Sequence, residues 1–175
     1  VAGPPTARET TMAKKGKKAK KSRSARRASG RKPTHADAEL MLKLYDLRRE
    51  AVMRQSRDAI TFGFWPRSWD DVVAIQDLQH PMNAAFRQVG SYWEMVYGLA
   101  RKGIAEPEFL VENNGEGLLL YCKLQPWLHL LRQDHPTSFQ HSEWVAENTE
   151  TGGNYVSMMK ERFAEQLPAQ APVEV

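Results

Sequence analysis

The spacing of apolar side chains along the chain predicts helices and no strands. Over residues 36–60, Leu40, Leu44 and Leu47 recur every three or four positions, which is typical of one amphipathic helix. The same spacing recurs over residues 83–102 and predicts a second long helix there. Shorter helices are predicted over residues 68–78, 107–111, 138–147 and 154–166, with a break at Thr151-Gly152-Gly153.

The segment from residue 116 to residue 132 is apolar nearly all round. Such a helix is buried on every side, so we expect it at the centre of a bundle. Pro126 should kink it, because proline lacks the amide hydrogen of the helix ladder and clashes with the preceding turn. The sequence therefore predicts an all-α fold, a single helical bundle of five to seven helices over residues 35–167, with a frayed C-terminus at residues 168–175.

The first 34 residues, called the arm from here on, follow a different pattern. Between residues 13 and 33 alanine and a closing proline are the only apolar residues, so the arm cannot bury enough apolar surface to offset its ordering entropy. The arm contains twelve Lys or Arg and one Glu, a net charge of +11, whereas the rest of the chain has thirteen basic and twenty acidic residues, a net charge of −7. We predict a disordered polybasic arm on an acidic helical domain.

Eleven cations of the arm can neutralise phosphates and release their counterions. The arm has no aromatic side chain to stack on bases, so such binding would not depend on the base sequence. The alternatives are an arm that only solubilises the protein and one that folds back on its own acidic domain. We predict that the arm binds nucleic acid or another polyanion through Lys14, Lys15, Lys17, Lys18, Lys20, Lys21, Arg23, Arg26, Arg27, Arg31 and Lys32.

The start of the chain and its cysteine content suggest how and where the protein is made. Val1 is what the literal translation of a non-standard start codon gives, and Met12 has the form of a second start, so we expect residues 1–11 to be absent or poorly expressed. A single cysteine, Cys122, excludes an intramolecular disulfide and fits a reducing compartment. No stretch approaches the roughly 18 apolar residues that span a membrane, and no secretory signal follows the N-terminal charges. We predict a cytoplasmic protein.

Gly90, Glu94 and Gly98 are spaced four residues apart, so they share one stripe of the helix predicted over residues 83–102. The two glycines allow a neighbouring helix to come close, with Glu94 at the contact. A desolvated carboxylate needs a partner or it takes up a proton. We predict a structural ion pair between Glu94 and a basic residue of the first helix, the candidates being Arg48, Arg49 and Arg54.

The remaining chemistry-bearing residues form no recognised catalytic or metal pattern. None of the five histidines lies four residues from another, so we predict neither a metal nor a cofactor. Cys122 lies in an apolar run, which is typical of a buried, inert thiol. Core and inter-helix packing is the predicted role of six aromatic residues, with a partner-binding patch as the alternative: Phe62, Phe64, Trp65, Trp69, Tyr92 and Trp93. An enzyme built on Glu94, an arginine and His129 is the least favoured interpretation, and no catalytic residue is assigned.

Four segments of the chain carry a family resemblance. They are Leu40-Met41-Leu42-Lys43-Leu44-Tyr45-Asp46-Leu47-Arg48-Arg49-Glu50, His80-Pro81-Met82-Asn83-Ala84-Ala85-Phe86-Arg87-Gln88-Val89, Ser91-Tyr92-Trp93-Glu94-Met95-Val96 and Asn114-Gly115-Glu116-Gly117-Leu118. Together they resemble small all-helical bacterial proteins known only as a domain of unknown function, over roughly residues 37–165. The resemblance implies a helical fold and a bacterial cytoplasmic setting, and it brings no activity and no site residues.

These observations favour an interaction protein over an enzyme. We expect a non-enzymatic helical module whose arm binds nucleic acid non-specifically. The alternative is a protein–protein or regulatory module in which the arm is accessory and an aromatic or acidic face of the bundle binds the partner.

Overall fold

The computed structural model describes residues 31–168, and every regular element within them is a helix. The all-α fold predicted from the apolar spacing is therefore confirmed. The predicted disorder of residues 1–30 and the predicted fraying of residues 169–175 lie outside the described residues. In the described part, no helix combines the length and the apolarity needed to cross a lipid bilayer.

The first predicted helix is in fact two helices that meet at Glu50. Helix α1 spans His35–Arg49 and helix α2 spans Ala51–Asp58. At Glu50 the backbone leaves the helical region (φ −52°, ψ 140°), and its carboxylate accepts a hydrogen bond from the Met53 amide at 2.8 Å. The single helix over residues 36–60 is wrong because Glu50 acts as an N-cap, a role that apolar periodicity does not reveal.

After α2 the chain forms a π-helical turn and a short helix before the next long helix begins. A π-helical turn, Ala59–Gly63, follows α2, and helix α3 spans Trp69–Ala74 behind a capping box that begins at Ser68. Helix α4 spans Asn83–Arg101. Gly103 ends it with a φ of 70°, the left-handed conformation that favours glycine.

The apolar centre of the molecule consists of three helices in series. Helix α5 spans Pro107–Asn114, α6 spans Leu118–Leu124 and α7 spans Leu128–Asp134, with 3₁₀ turns between them. Every residue of α6 is buried, so the predicted central position is confirmed. The uninterrupted helix predicted over residues 116–132 is broken at Pro126, which lies in the second 3₁₀ turn because it cannot donate a helix hydrogen bond.

Helix α8 spans Gln140–Asn148 and helix α9 spans Glu150–Arg162. The break between them falls at Thr149 and not at the predicted Thr151-Gly152-Gly153. The Thr149 hydroxyl accepts a hydrogen bond from the Gly152 amide at 3.0 Å and so caps α9. The glycine pair therefore lies inside the first turns of α9.

Helix α4 packs against helices from both the earlier and the later part of the chain. It packs against α2, α5 and α8, while α9 packs against α5, α6 and α8. Trp93 of α4 is almost fully buried, and it lies so close to Gly117 that an added Cβ there would be 2.4 Å from the indole. The Tyr92 hydroxyl donates to the Leu44 carbonyl at 2.7 Å and ties α4 to α1.

Candidate functional site

The arm meets the bundle at a cluster of polar groups, called the arm junction, formed by Arg31, Thr34, Asp37 and Glu106. Asp37 is charged and yet only 2% exposed. Its carboxylate accepts two hydrogen bonds from the Arg31 guanidinium and two from the Thr34 amide and hydroxyl, each 2.7 Å long. A fifth comes from the Glu106 amide at 2.9 Å.

Two helix caps build the arm junction. Thr34 is the N-cap of α1 and forms a reciprocal capping box with Asp37. Glu106 is the N-cap of α5, and its own carboxylate accepts from the Phe109 amide at 2.7 Å. Its backbone amide lies outside the helix ladder and donates to Asp37. The Arg31 guanidinium, followed by the Thr34 hydroxyl, holds the pKa of the Asp37 carboxyl far below its usual range. The root of the arm is therefore held by an ionised carboxylate.

The structure describes two of the eleven cations that we predicted to bind nucleic acid, Arg31 and Lys32. Arg31 is paired with Asp37, so it joins the arm to the bundle, and a phosphate would have to compete with that carboxylate. Lys32 is exposed. The nine cations from Lys14 to Arg27 lie outside the described residues, and their role stays a prediction.

Glu94 binds the first turn of α8. One carboxylate oxygen accepts hydrogen bonds from the Ser142 amide at 2.9 Å and the Ser142 hydroxyl at 2.6 Å. The other accepts from the His141 amide at 3.0 Å. An added Cβ would be 3.3 Å from the His141 ring at Gly98 and 3.8 Å from the nearest side chain at Gly90. The close helix approach predicted around Glu94 is therefore present, with α8 as the neighbour.

The structure gives Glu94 other partners than the predicted arginines. Among the described residues, neither Arg48 nor Arg49 forms an ion pair with it. Arg48 instead donates to the Asn113 carbonyl at 3.5 Å. The amides of a first helical turn have no partner within their own helix and carry a partial positive charge, so they can bind a carboxylate without any arginine.

A surface groove of about 470 Å³ runs beside Glu94, between α4 and the start of α8. Phe139 lines it and has a φ of 51°, the left-handed conformation that is uncommon for a bulky residue. His141 lines it too, and desolvation lowers the pKa of its ring although Glu94 opposes the shift. Because both Glu94 oxygens already accept hydrogen bonds from α8, this carboxylate acts here as a structural cap.

Lys123 of α6 is a buried cation that no motif in the sequence marks. Its side chain is fully buried, and its ammonium donates to the Ile60 carbonyl at 2.9 Å and the Thr61 carbonyl at 2.8 Å, both in the π-helical turn. The ammonium also lies 3.7 Å from the ring centroid of Trp65. Burial lowers the pKa of Lys123 to about 7. The one available signal was a lone lysine inside a run of otherwise apolar residues.

The position of Lys123 does not suit catalysis. The cavity beside it, lined also by Ile60, Thr61 and Glu116, measures about 10 Å³, roughly the space of one water-sized probe. No substrate fits there. The ammonium instead donates to two carbonyls of the π-helical turn, an irregular stretch of backbone.

The other candidate residues do not come together. His129 is exposed on α7, whereas Glu94 binds α8. Cys122 is buried, and burial raises the pKa of its thiol to about 11, as the prediction of an inert thiol requires. Within residues 31–168 no group of three or more His, Cys, Asp or Glu side chains is placed to hold a metal ion.

The sequence offered two roles for the aromatic side chains, core packing and a partner-binding patch, and the structure contains both buried and exposed ones. Phe64 and Trp93 are in the core, at 4% and 2% exposure. Phe62 is 75% exposed. Trp65 is half-buried and lies between Lys123 and Phe163, whose ring centroid is 5.3 Å from that of Trp65. Core packing therefore accounts for most of the aromatic residues considered as a patch, and Phe62 is the exception among them.

Comparison with known protein families matches residues 33–149 to a family described as a domain of unknown function, DUF4760. The match covers α1 to α8 and begins at the end of the arm, close to the extent expected from the four quoted segments. The resemblance to a family of uncharacterised helical proteins is confirmed, while a bacterial origin stays a prediction. No curated protein and no solved structure matches the chain.

Proposed function

The chain belongs to the DUF4760 family, and we propose that it is a non-enzymatic helical module whose basic arm binds nucleic acid without regard to base sequence. The observation that carries the proposal is the separation of charge. Residues 1–34 have a net charge of +11, and residues 35–175 have a net charge of −7. The overall charge of +4 conceals this division.

The positive charge of the arm suits a nucleic-acid partner because its cations can neutralise phosphates. Each lysine or arginine that neutralises a phosphate releases condensed counterions, and this release favours binding most at low salt. The acidic bundle is repelled by the same phosphates, so the arm alone would supply the attraction. The arm has no aromatic side chain to stack on bases, and contacts to phosphate carry no sequence information.

The arm junction supports a tether in which the arm and bundle act as one unit. Arg31 is held by Asp37, and Thr34 begins α1, so only Lys32 and Pro33 separate the fixed Arg31 from the first helix cap. A polymer bound by the preceding cations would therefore be held close to the α1 end of the bundle.

The test is a fluorescence-anisotropy titration with labelled DNA and RNA across a salt series. We compare the full chain with a variant that lacks residues 1–30, which keeps Arg31 and Thr34 and so leaves the arm junction intact. We expect binding that disappears with the deletion and a log–log salt slope of about −5 or steeper. A full chain that binds neither polymer at low salt would refute the proposal, and so would a deletion variant that binds as well as the full chain.

A second candidate, a protein-binding module, rests on the exposure of Phe62. A phenylalanine that is 75% exposed beside the half-buried Trp65 has the character of an interface anchor. The test compares proteins captured by the full chain with those captured by a Phe62→Ser variant, using Val73→Ser as the control at another exposed apolar position. Loss of one defined partner with Phe62→Ser alone would support this candidate, and identical capture by both variants would reject it.

A further inference from the structure

The outer face of α1 carries an exposed aromatic residue flanked by arginines. Tyr45 is 46% exposed. The guanidinium carbon of Arg48 lies 5.1 Å from the Tyr45 ring centroid and that of Arg49 lies 5.4 Å from it. These three residues are called the α1 platform.

Contacts to the backbone hold the α1 platform at the C-terminal end of the helix. Arg48 donates to the Asn113 carbonyl at 3.5 Å, and Arg54 donates to the Arg49 carbonyl at 3.2 Å. The Tyr92 hydroxyl donates to the Leu44 carbonyl at 2.7 Å, directly before Tyr45. The backbone beneath the α1 platform is thus anchored to α4, so the tyrosine ring is presented from a rigid support.

The stretch of chain that contains this platform is less acidic than the rest of the bundle. Residues 35–63 contain five basic and five acidic residues, whereas residues 64–175 contain eight basic and fifteen acidic residues. Helix α1 also begins at the arm junction. With a rise of about 1.5 Å per residue, Tyr45 lies about 15 Å along the helix from His35. A polyanion held by the arm would therefore lie near α1, which begins at the arm junction.

The chemistry of the α1 platform fits an unpaired base better than a row of phosphates. Helix α1 carries as many acidic residues (Asp37, Glu39 and Asp46) as basic ones (Lys43, Arg48 and Arg49), so it offers no net charge to a row of phosphates. A tyrosine ring and a guanidinium plane both stack on bases, and stacking needs a base that is outside a duplex.

We propose that the α1 platform stacks an unpaired base and makes the protein prefer single-stranded over double-stranded nucleic acid. This inference rests on the proposed function, because the arm supplies the electrostatic attraction and the platform supplies the preference. The arm without aromatics binds either form, and Tyr45 adds the contact that only the single strand can make.

The experiment is an anisotropy titration of the full chain with a labelled 20-residue oligothymidine and with a 20-base-pair duplex. Tyr45→Ala should weaken binding of the single strand about tenfold, since stacking of one base on an aromatic side chain has that order of effect. Binding of the duplex should stay within about twofold of the unsubstituted chain, because phosphate contacts by the arm are unchanged. Tyr45→Phe keeps the ring and should retain single-strand binding. Phe62→Ala, which removes a more exposed ring, should change neither affinity.

The outcomes separate this inference from the proposed function. If the full chain binds the single strand and Tyr45→Ala binds it equally well, the α1 platform has no role and the arm alone explains the affinity. Equal weakening on both polymers would also overturn the inference, because it would indicate a general contact and not stacking. If the full chain binds neither polymer, the proposed function itself fails. Thermal unfolding by circular dichroism checks that each variant keeps its fold.

Discussion

Two buried charges, Asp37 at the arm junction and Lys123 beneath the π-helical turn, are stabilised in opposite ways. The Asp37 carboxylate faces the guanidinium of Arg31 and accepts three further hydrogen bonds, from the Thr34 amide, the Thr34 hydroxyl and the Glu106 amide. Lys123 has two neutral carbonyls and a tryptophan ring as its partners. The pKa of Asp37 is lowered, which favours its charged form, whereas burial lowers the pKa of Lys123 and disfavours its charged form.

Burial alone therefore does not decide whether the charged form of a side chain is favoured in this bundle. An opposite charge with aligned donors more than offsets the loss of water around Asp37. Dipoles and a ring face offset only part of the loss around Lys123, because a neutral carbonyl attracts an ammonium less strongly than a carboxylate does. Asp37 therefore holds residues 31–34 to the bundle. Lys123 stabilises an irregular turn, although burial disfavours its own charged form.

The largest expected effect comes from removing the lysine. Lys123→Ala leaves a cavity in α6 and removes a donor from two carbonyls, so we expect the free energy of unfolding to fall by about 3–5 kcal/mol. Urea unfolding measures this. Lys123→Met keeps the volume of the stem and should lose less, and the exposed Lys102→Ala should stay within about 0.5 kcal/mol of the unsubstituted chain. An Ala variant as stable as the unsubstituted chain would show that the π-helical turn does not need the ammonium.

Removing the charge of Asp37 should come next. Asp37→Asn replaces one acceptor oxygen by an amide that faces donors, so Arg31 and the Glu106 amide each lose part of their partner. We expect a lower unfolding midpoint and faster proteolysis at residues 31–34. Arg31→Ala should lower the midpoint less, because the Thr34 and Glu106 donors to Asp37 remain. A larger effect of Arg31→Ala would show that the guanidinium, and not the carboxylate, organises the arm junction.

Stability should depend on pH at both sites because folding lowers both pKa values, that of Lys123 through burial and that of Asp37 through its hydrogen-bond donors. The folded pKa of Lys123, about 7, lies below the value of 10.5 for an unperturbed lysine, so the unfolded chain binds more protons between these values and stability rises with pH there. Between pH 7 and 8.5 the unsubstituted chain should gain up to about 1.4 kcal/mol per pH unit relative to Lys123→Met. Parallel curves for the two proteins would contradict a weakly favoured ammonium.

For Asp37 the sign is the same, because its folded pKa is also lowered, and the pH range is more acidic. Its folded pKa lies below the ordinary value of 3.8, so its contribution is present above that pH and is lost as the pH falls through the lower folded pKa. The unfolding midpoints of the unsubstituted chain and Asp37→Asn should therefore converge in acid.

The smallest effect is expected at the cap of α1. Thr34→Ala removes the hydroxyl that accepts from the Asp37 amide, and loss of such an N-cap costs about 1 kcal/mol. The exposed residue Thr137 provides a control, Thr137→Ala, since α8, which follows it, has no side-chain cap at its N-cap residue Phe139. Equal effects of the two substitutions in thermal unfolding would show that the capping box adds nothing to the arm junction.

Much of the fold could be predicted because it follows from local rules. Apolar spacing identified the region of α1, the whole of α4 and the central burial of α6, and Pro126 marked the interruption between α6 and α7. The break at Glu50 and the position of the break at Thr149 were missed. At both places one side chain caps the next helix, and the choice between continuing and restarting a helix depends on contacts beyond the local sequence.

The sites were harder to predict than the helices. The spacing of Gly90, Glu94 and Gly98 identified a close helix contact, but not that the amides of α8 would take the place of an arginine. Cys122 as a buried thiol followed from its apolar neighbours alone. Lys123 was not recognised, because a lysine in an apolar run has no partner within its own helix and its carbonyls come from residues about 60 positions earlier.

By itself, the sequence determined the helical class, the apolar centre and the division of charge between arm and bundle, since these depend on which residues are present and how they are spaced. Only the tertiary structure decided which charges are paired. It placed Asp37 between Arg31 and the start of α5, Glu94 on the amides of α8, and Lys123 under a π-helical turn. The reason is that ionic and hydrogen-bonding partners are chosen by distance in space, and that distance exists only after the helices have packed.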